Sequence, residues 1–367
     1  MDALFVTNLF LLLMILLIAG LNYLLPLLSR REIFFAITVS GGYRDSPAAR
    51  ETLRRYRTAV CVHALIAVGL VAAAGFQQIP WLPIAAIFWL AGGCFVAFLM
   101  ARHETLPHAQ APAPQREAAV APRPAGIFSS FWLQACPFVI LAAAAAYLYF
   151  HWNDIPERFP VHWSLRGQPD RWSTRSFSGV FLPLFMGASL CLGLAVMSYA
   201  MQHWTRQVRA RGSGPAQESF FRSSQRGIVW ATELFLAATF SWTACIPLQY
   251  SATARMPGLV PILVGATLFI FFVVGWLIYT GQGGEHLPRP ASEPSPAPEE
   301  LPAGDRTPDQ CWKAGVIYVN RNDPAILVER RFGVGYTLNF GHPLSWILLG
   351  SLILIPLLLS FFLARAL

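Results

Sequence analysis

The chain has 367 residues, of which 55% are hydrophobic and only 13% are charged, with a mean hydropathy of +0.48. A soluble domain averages about 25% charged residues, so too little polar surface remains to cover a globule, and lipid must solvate part of the chain. The net charge of +8 sits almost wholly on arginines in short connecting segments, not in a basic stripe interleaved with stacking aromatics, which excludes nucleic acid as a partner.

Taken in order, residues 1–101 hold three apolar runs, Leu4–Leu28, Thr58–Phe76 and Trp81–Ala101. Each is long enough to cross a ~30 Å hydrocarbon core as a helix. Between the first two, Ser46–Arg57 reads as an amphipathic connector helix on the headgroups, with Ser46 as N-cap and Pro47 at the first helical position. The short Gln77–Pro80 turn makes the second and third runs an antiparallel hairpin. Residues 102–130, rich in Pro and Ala, read as an extended linker.

Residues 131–201 form a helix pair, Phe131–Phe150 and Gly179–Met201, that carries a polar loop at 151–178. An arginine-rich segment, 202–226, leads to a second pair within 227–279, namely Gly227–Leu248 and Leu259–Tyr279. Residues 280–310 are a second Pro-rich linker. In the small segment 311–343, the β-branched runs Val316–Val319 and Ala325–Val328 flank the turn signal Asn-Asp-Pro and predict one hairpin. Leu344–Leu363, within 344–367, is the last crossing. The expected fold is an all-α polytopic membrane protein of about eight transmembrane helices, with a small cytoplasmic β-hairpin before the last.

Of the 27 basic residues, 21 fall in the first, third, fifth and seventh connections. Basic loops stay in the cytoplasm, which predicts a bacterial inner-membrane protein with both termini outside. The 151–178 loop is then extracytoplasmic, and the 311–343 segment cytoplasmic. The N-terminus lacks a basic region before its apolar run, which reads as an uncleaved first span. Six single cysteines, none in a CxxC pair, read as small buried hydrophobes.

The loop IPERFPVHWSLRGQPDRWSTRS, Ile155–Ser176, contains Ile155-Pro156, Pro160, His162-Trp163, Gly167, Pro169-Asp170 and Arg175. In this pattern it resembles the extracytoplasmic loop of the SdpI-like membrane proteins, with Ser164 where that family usually has Asn. The segment Trp312–Pro343 is similar to a C-terminal domain of unknown function that often accompanies the loop. The similarity rests on Trp312, Gly315, Tyr318, Asn320, Asp323-Pro324, Arg331, Gly333, Gly335, Asn339 and Pro343. Glu32–Arg57 matches the first cytoplasmic loop of that family only in part, because Ala36 and Thr38 stand where Gly and Arg are expected. The resemblance implies immunity or signalling: an extracytoplasmic peptide as ligand and a cytoplasmic regulator as partner, beside the lipid bilayer itself.

Three chemistries compete for these residues. His162 and Asp170 form a candidate recognition or proton-sensing pair, against a purely structural reading in which prolines, Gly167 and interfacial tryptophans make a compact cap. Glu233, in the sixth apolar run, costs on the order of 3 kcal/mol at membrane depth unless paired or protonated. It either marks a small-solute or ion path, helped by kinks at Pro137, Pro183, Pro247, Pro261 and Pro356, or sits near the interface. His151, Asp154, Glu157 and His162 offer metal-ligand types without an established metal spacing. His63 and Gln134 read as interhelical hydrogen-bonding groups. No nucleotide, hydrolase or zinc-protease motif is present, so the expectation is a non-enzyme with no cofactor.

Overall fold

A computed structural model describes residues 3–77, 79, 81–110, 130–163, 169–205, 215–253, 259–288 and 307–365. Most of both Pro-rich linkers, including 111–129 and 289–306, and the tip of the polar loop with Gly167 lie outside these residues.

Helix α1 is Ala3–Leu28. A two-stranded hairpin follows, β1 Ile33–Phe34 and β2 Ile37–Thr38, turned by Phe35 and Ala36 at φ of 43° and 62°. Helix α2 runs from Pro47 to Gln77 and α3 from Leu82 to Thr105. Helix α4 is Phe131–Phe150, β3 is Arg158–Trp163, β4 is Pro169–Thr174, and α5 is Phe177–His203. Then come α6 Pro215–Ala244, α7 Ile246–Thr253 and α8 Leu259–Thr280. Four short strands, β5 Trp312–Lys313, β6 Ile317–Tyr318, β7 Leu327–Glu329 and β8 Tyr336–Leu338, precede α9 Pro343–Arg365.

Among the described residues, eight helices reach 20 residues or more, and six are long and apolar enough to cross a membrane by length and composition. The chain is therefore an all-α polytopic membrane protein with small β-hairpins. Helix α6 falls outside the six because Glu233 and a series of hydroxyl residues interrupt its apolar run, and α9 contributes a shorter apolar stretch. Thr232, Thr239 and Thr243 sit among these; Thr232 and Thr243 bond back to carbonyls one turn earlier, as hydroxyls do inside apolar helices.

Three expectations need correction. Ser46 does cap a helix, its Oγ accepting the Ala49 amide at 3.1 Å, but the amphipathic stretch is no separate connector. Nothing breaks the helix between Arg57 and Thr58, so α2 continues directly into the second crossing. The third crossing likewise extends past Ala101 to Thr105, taking Arg102 with it. Finally, Val316–Val319 does not pair with Ala325–Val328. Ala314 (φ 49°) and Gly315 (φ 75°) turn the chain back so that β5 pairs with β6, while β7 pairs with β8. The left-handed turn just before Val316 supplies a nearer partner than the Asn-Asp-Pro turn does.

The proline expectations divide. Pro137, Pro183 and Pro356 lie inside α4, α5 and α9, whereas the sixth run breaks outright at Cys245, two residues before Pro247. A proline ring clashes with the carbonyl one turn earlier, which is where α6 gives way to α7.

Among the described residues, beside two smaller apolar cores in and beneath the cap, two large ones form. One joins α1, α2 and α3 with the β1–β2 hairpin, where Phe332 stacks among Phe35, Tyr56 and Phe98 at centroid distances of 5.9, 6.3 and 4.4 Å. The other joins α4, α5 and α6 with Ile155 and Phe159 of the polar loop. His63 was expected to bond across helices. Its ring instead packs on Gly93 and edge-on to Trp89 at 5.6 Å, in a space that only a residue without Cβ leaves open.

Candidate functional site

The polar loop is an antiparallel hairpin, an order that its prolines and tryptophans did not announce. Arg158 pairs with Thr174, Phe159 with Ser173 and Pro160 with Trp172, with irregular register around His162. Pro160 and Pro169 are tolerated because this ribbon has only edge strands. Phe159 and Ile155 are buried and anchor the ribbon on the α4–α6 core.

Most motif residues here hold the ribbon in place. Arg175 donates from Nη1 to the carbonyls of Ile155, Asn153 and Trp152 at 3.1, 3.3 and 3.4 Å, and its amide bonds Glu157 O at 2.9 Å. These bonds close the base of the loop. Ser176 Oγ then caps α5 by accepting the Gly179 amide at 3.1 Å. A Cβ at Gly179 would collide with the Thr174 carbonyl, so the strand-to-helix corner needs glycine. Pro156 is half-buried in the same corner.

His162 and Asp170 differ. Their side chains are 50% and 45% exposed, and His162 Nδ1 lies 2.5 Å from Asp170 Oδ1 across the strands. No core residue depends on them. Beside them Arg158 lies over the Trp172 ring at 5.4 Å, and Trp172 meets Tyr250 edge-on at 6.2 Å. A shallow cleft runs below, between the ribbon, the start of α5 and the α6–α7 break. Phe159, Val161, Val180, Pro183, Ala244 and Pro247 line it.

The metal alternative does not assemble. His151 bonds its own helix at Tyr147 O, 2.9 Å, and stacks on the Tyr147 ring, while His162 turns to Asp170. Among the described residues no three His, Cys, Asp or Glu side chains converge.

At the other end, a β-rich cap uses nearly all its motif residues on itself. Asn339 is fully buried; its Nδ2 donates to the carbonyls of Asn320, Asp323 and Ala325 at 2.8, 3.1 and 3.0 Å. Its Oδ1 accepts the amides of Asn320 and Gly341, both at 3.0 Å. Asp323 accepts the Tyr318 hydroxyl at 2.8 Å and, through its other oxygen, the Ala325 amide at 3.1 Å, which shapes the turn into exposed Pro324. Trp312 is buried against Tyr318 and donates to Thr307 Oγ1 at 2.7 Å. Gly333 and Gly335 adopt φ of 92° and 105°; the Gly335 amide bonds Gln282 Oε1 at 2.7 Å and the Gly333 amide bonds Ser29 Oγ at 3.2 Å.

A long-range ion pair and a set of hydrogen bonds weld this cap to the first loop. Buried Arg331 binds Asp309, the Thr307 carbonyl and Ala36 O, and Asp309 also accepts the Thr38 hydroxyl at 2.8 Å. Buried Arg30 pairs with Glu329, which also accepts from Gln282. Arg44 donates to the carbonyls of Ser29, Arg30 and Ile33. Burial pushes the Arg44 guanidinium down to about 10, with Glu285 opposing, and burial raises the Glu285 carboxyl against the pull of Arg30 and Arg44. Sequence reasoning singled out Arg331 as a motif residue but missed Arg30, Asp309 and Gln282, because their partners lie up to about 300 residues away.

Glu233 lies nineteen residues into α6, which begins at Pro215, and is fully buried among its neighbours.

Residues 139–187, which include the hairpin, match a family model described as a domain of unknown function, DUF1648. Residues 321–346, the last part of the cap and the first turn of α9, match a family of unknown function, DUF5808. No curated protein and no solved structure matches the chain. The chain is thus a membrane protein that carries segments similar to two uncharacterised families.

Proposed function

We propose that the protein is a non-enzymatic sensor of the bacterial inner membrane. The β3–β4 hairpin faces outward and recognises a membrane-active peptide or an envelope signal, and the cap presents the result to a cytoplasmic partner. The observation that carries the reading is α5, a single 27-residue helix anchored at both working ends. Its first turn is capped by the base of the hairpin. At its last turn, Trp204 O accepts the Leu327 amide of β7 at 3.2 Å, and Thr205 bridges Leu327. A helix of this length spans about 40 Å, so a shift at the hairpin base bears directly on a strand of the cap.

Other features support the same reading. Among the described residues, Arg30, Arg102 and Arg331 from the arginine-heavy connections meet at the cap, which favours a cytoplasmic cap and an outward hairpin. The hairpin residues fit an SdpI-like pattern, and the exposed His162–Asp170 pair sits above an apolar cleft, the combination that a cationic or amphipathic peptide would meet at a bilayer surface. Cells that produce His162→Ala or Asp170→Asn at wild-type abundance are expected to change several-fold in sensitivity to a membrane-active peptide. Unchanged sensitivity at equal abundance would sink the reading, as would a cytosolic address for a label placed near Gly167.

A further inference from the structure

We propose that Glu233 is a proton-binding site inside the helix bundle, occupied in the packing seen here and emptied only when α6 parts from α5. This goes beyond the sensor reading and does not depend on the hairpin.

Glu233 has no exposed surface, and neither carboxyl oxygen has a hydrogen-bond partner among the described residues. At 1.5 Å per residue it lies about 10 Å inward from Arg226, the last basic residue before the crossing, and therefore well inside a ~30 Å core. A carboxylate left bare at that depth is the costliest arrangement a bundle can hold.

Among the described residues no cation relieves it. Helices α4, α5 and α8, which pack on α6, carry no Asp, Glu, Lys or Arg, and their one histidine, His203, ends α5 at the cap end. Helix α9 carries none between Pro343 and Ala364. On α6 itself Arg226 is two turns away and donates to Gln202 Oε1 at 2.9 Å. The titratable group that does meet this part of α6 is Cys191 of α5, fully buried, whose Sγ lies 3.5 Å from the Glu233 backbone carbonyl. Tyr147, Tyr149, Tyr199, Tyr250 and Tyr279 lie near the ends of their elements. With no counter-charge in reach, the proton is the ligand that satisfies the site. Losing it breaks the carboxyl O–H bond and hands the proton to water, which must first be admitted between α5 and α6. Occupancy of the site and closure of that seam are therefore linked.

Infrared spectra of the full-length protein in lipid test the occupancy. Wild type minus Glu233→Gln at neutral pH is expected to show a protonated-carboxyl C=O stretch; Glu233→Leu serves the same subtraction should the glutamine variant not accumulate. The linkage is read at Cys191 by N-ethylmaleimide alkylation, resolved by peptide mass spectrometry from about pH 6 to about pH 9, a range that brackets ordinary thiol titration. The wild-type to E233Q ratio of labelling at Cys191 should rise several-fold with pH, while the same ratio at buried Cys94 stays flat. An absent carboxyl band overturns the occupancy claim, and a flat Cys191 ratio overturns the linkage.

Discussion

At the cap end, Arg331, Asn339 and Gln282 are buried and each bonds backbone; Arg331 and Gln282 reach segments remote in sequence, and Asn339 knits the turns of its own segment. At the hairpin end, His162 and Asp170 are half exposed and pair across a two-stranded ribbon. The two regions carry equally conspicuous sequence motifs, but one motif is absorbed by folding and the other is not. A residue that the fold requires leaves little freedom to read a ligand. A polar pair held in place without supporting a core has that freedom, so the difference separates scaffold from candidate recognition surface.

The comparison is broken most severely at Arg331. Replacing it with Met removes the guanidinium that binds Asp309 and the carbonyls of Thr307 and Ala36, and leaves Asp309 to the Thr38 hydroxyl and Ala36 O to Arg102. Breaking such a buried pair costs about 3–5 kcal/mol. The expected outcome is loss of amide-exchange protection across the cap and the β1–β2 turn, with α4 and the hairpin keeping theirs. Equal loss at both ends would mean that the cap is no independent scaffold.

Arg175 sharpens the comparison from the other side. It is the hairpin residue most like a cap residue, because its guanidinium closes the loop base on three carbonyls. Two of those bonds are long and the side chain is only partly buried, so Arg175→Ala should cost about 1–2 kcal/mol. The measurement is proteolytic cleavage between Ile155 and Ser176, which should accelerate without any change in the cap. Arg175→Lys should recover little, since one ammonium cannot follow the planar fork.

What the sequence revealed and what it concealed follow the range of the interaction. The apolar runs were legible because crossing a bilayer demands a long local stretch, and the Ser46 cap was legible because it acts within three residues. Strand pairing in the cap was not, since Val316–Val319 has the same composition whether it pairs forward or back. Left-handed Ala314 decided the matter, a residue type that gives no warning of that conformation. Ala36 is likewise left-handed, and its carbonyl accepts Arg102 at 2.8 Å as well as Arg331. Glu233 was visible as a charge in an apolar run. Its burial was not visible, because it depends on which helices pack against α6.

The smallest expected effect is the most discriminating. An exposed ion pair is worth about 0–1 kcal/mol, because water already solvates both partners and ordering two side chains offsets the attraction. His162→Ala, Asp170→Asn and the double variant should therefore leave the thermal midpoint in detergent nearly unchanged. Their double-mutant cycle should give a stability coupling below about 1 kcal/mol. The pair nevertheless holds a 2.5 Å contact near the described tip of the ribbon, close to the Arg158–Trp172 stack. A small stability coupling combined with a changed peptide response assigns the pair to recognition. A coupling above about 2 kcal/mol would place it with Arg331 as scaffold, and the contrast between the two ends would no longer mark a binding surface.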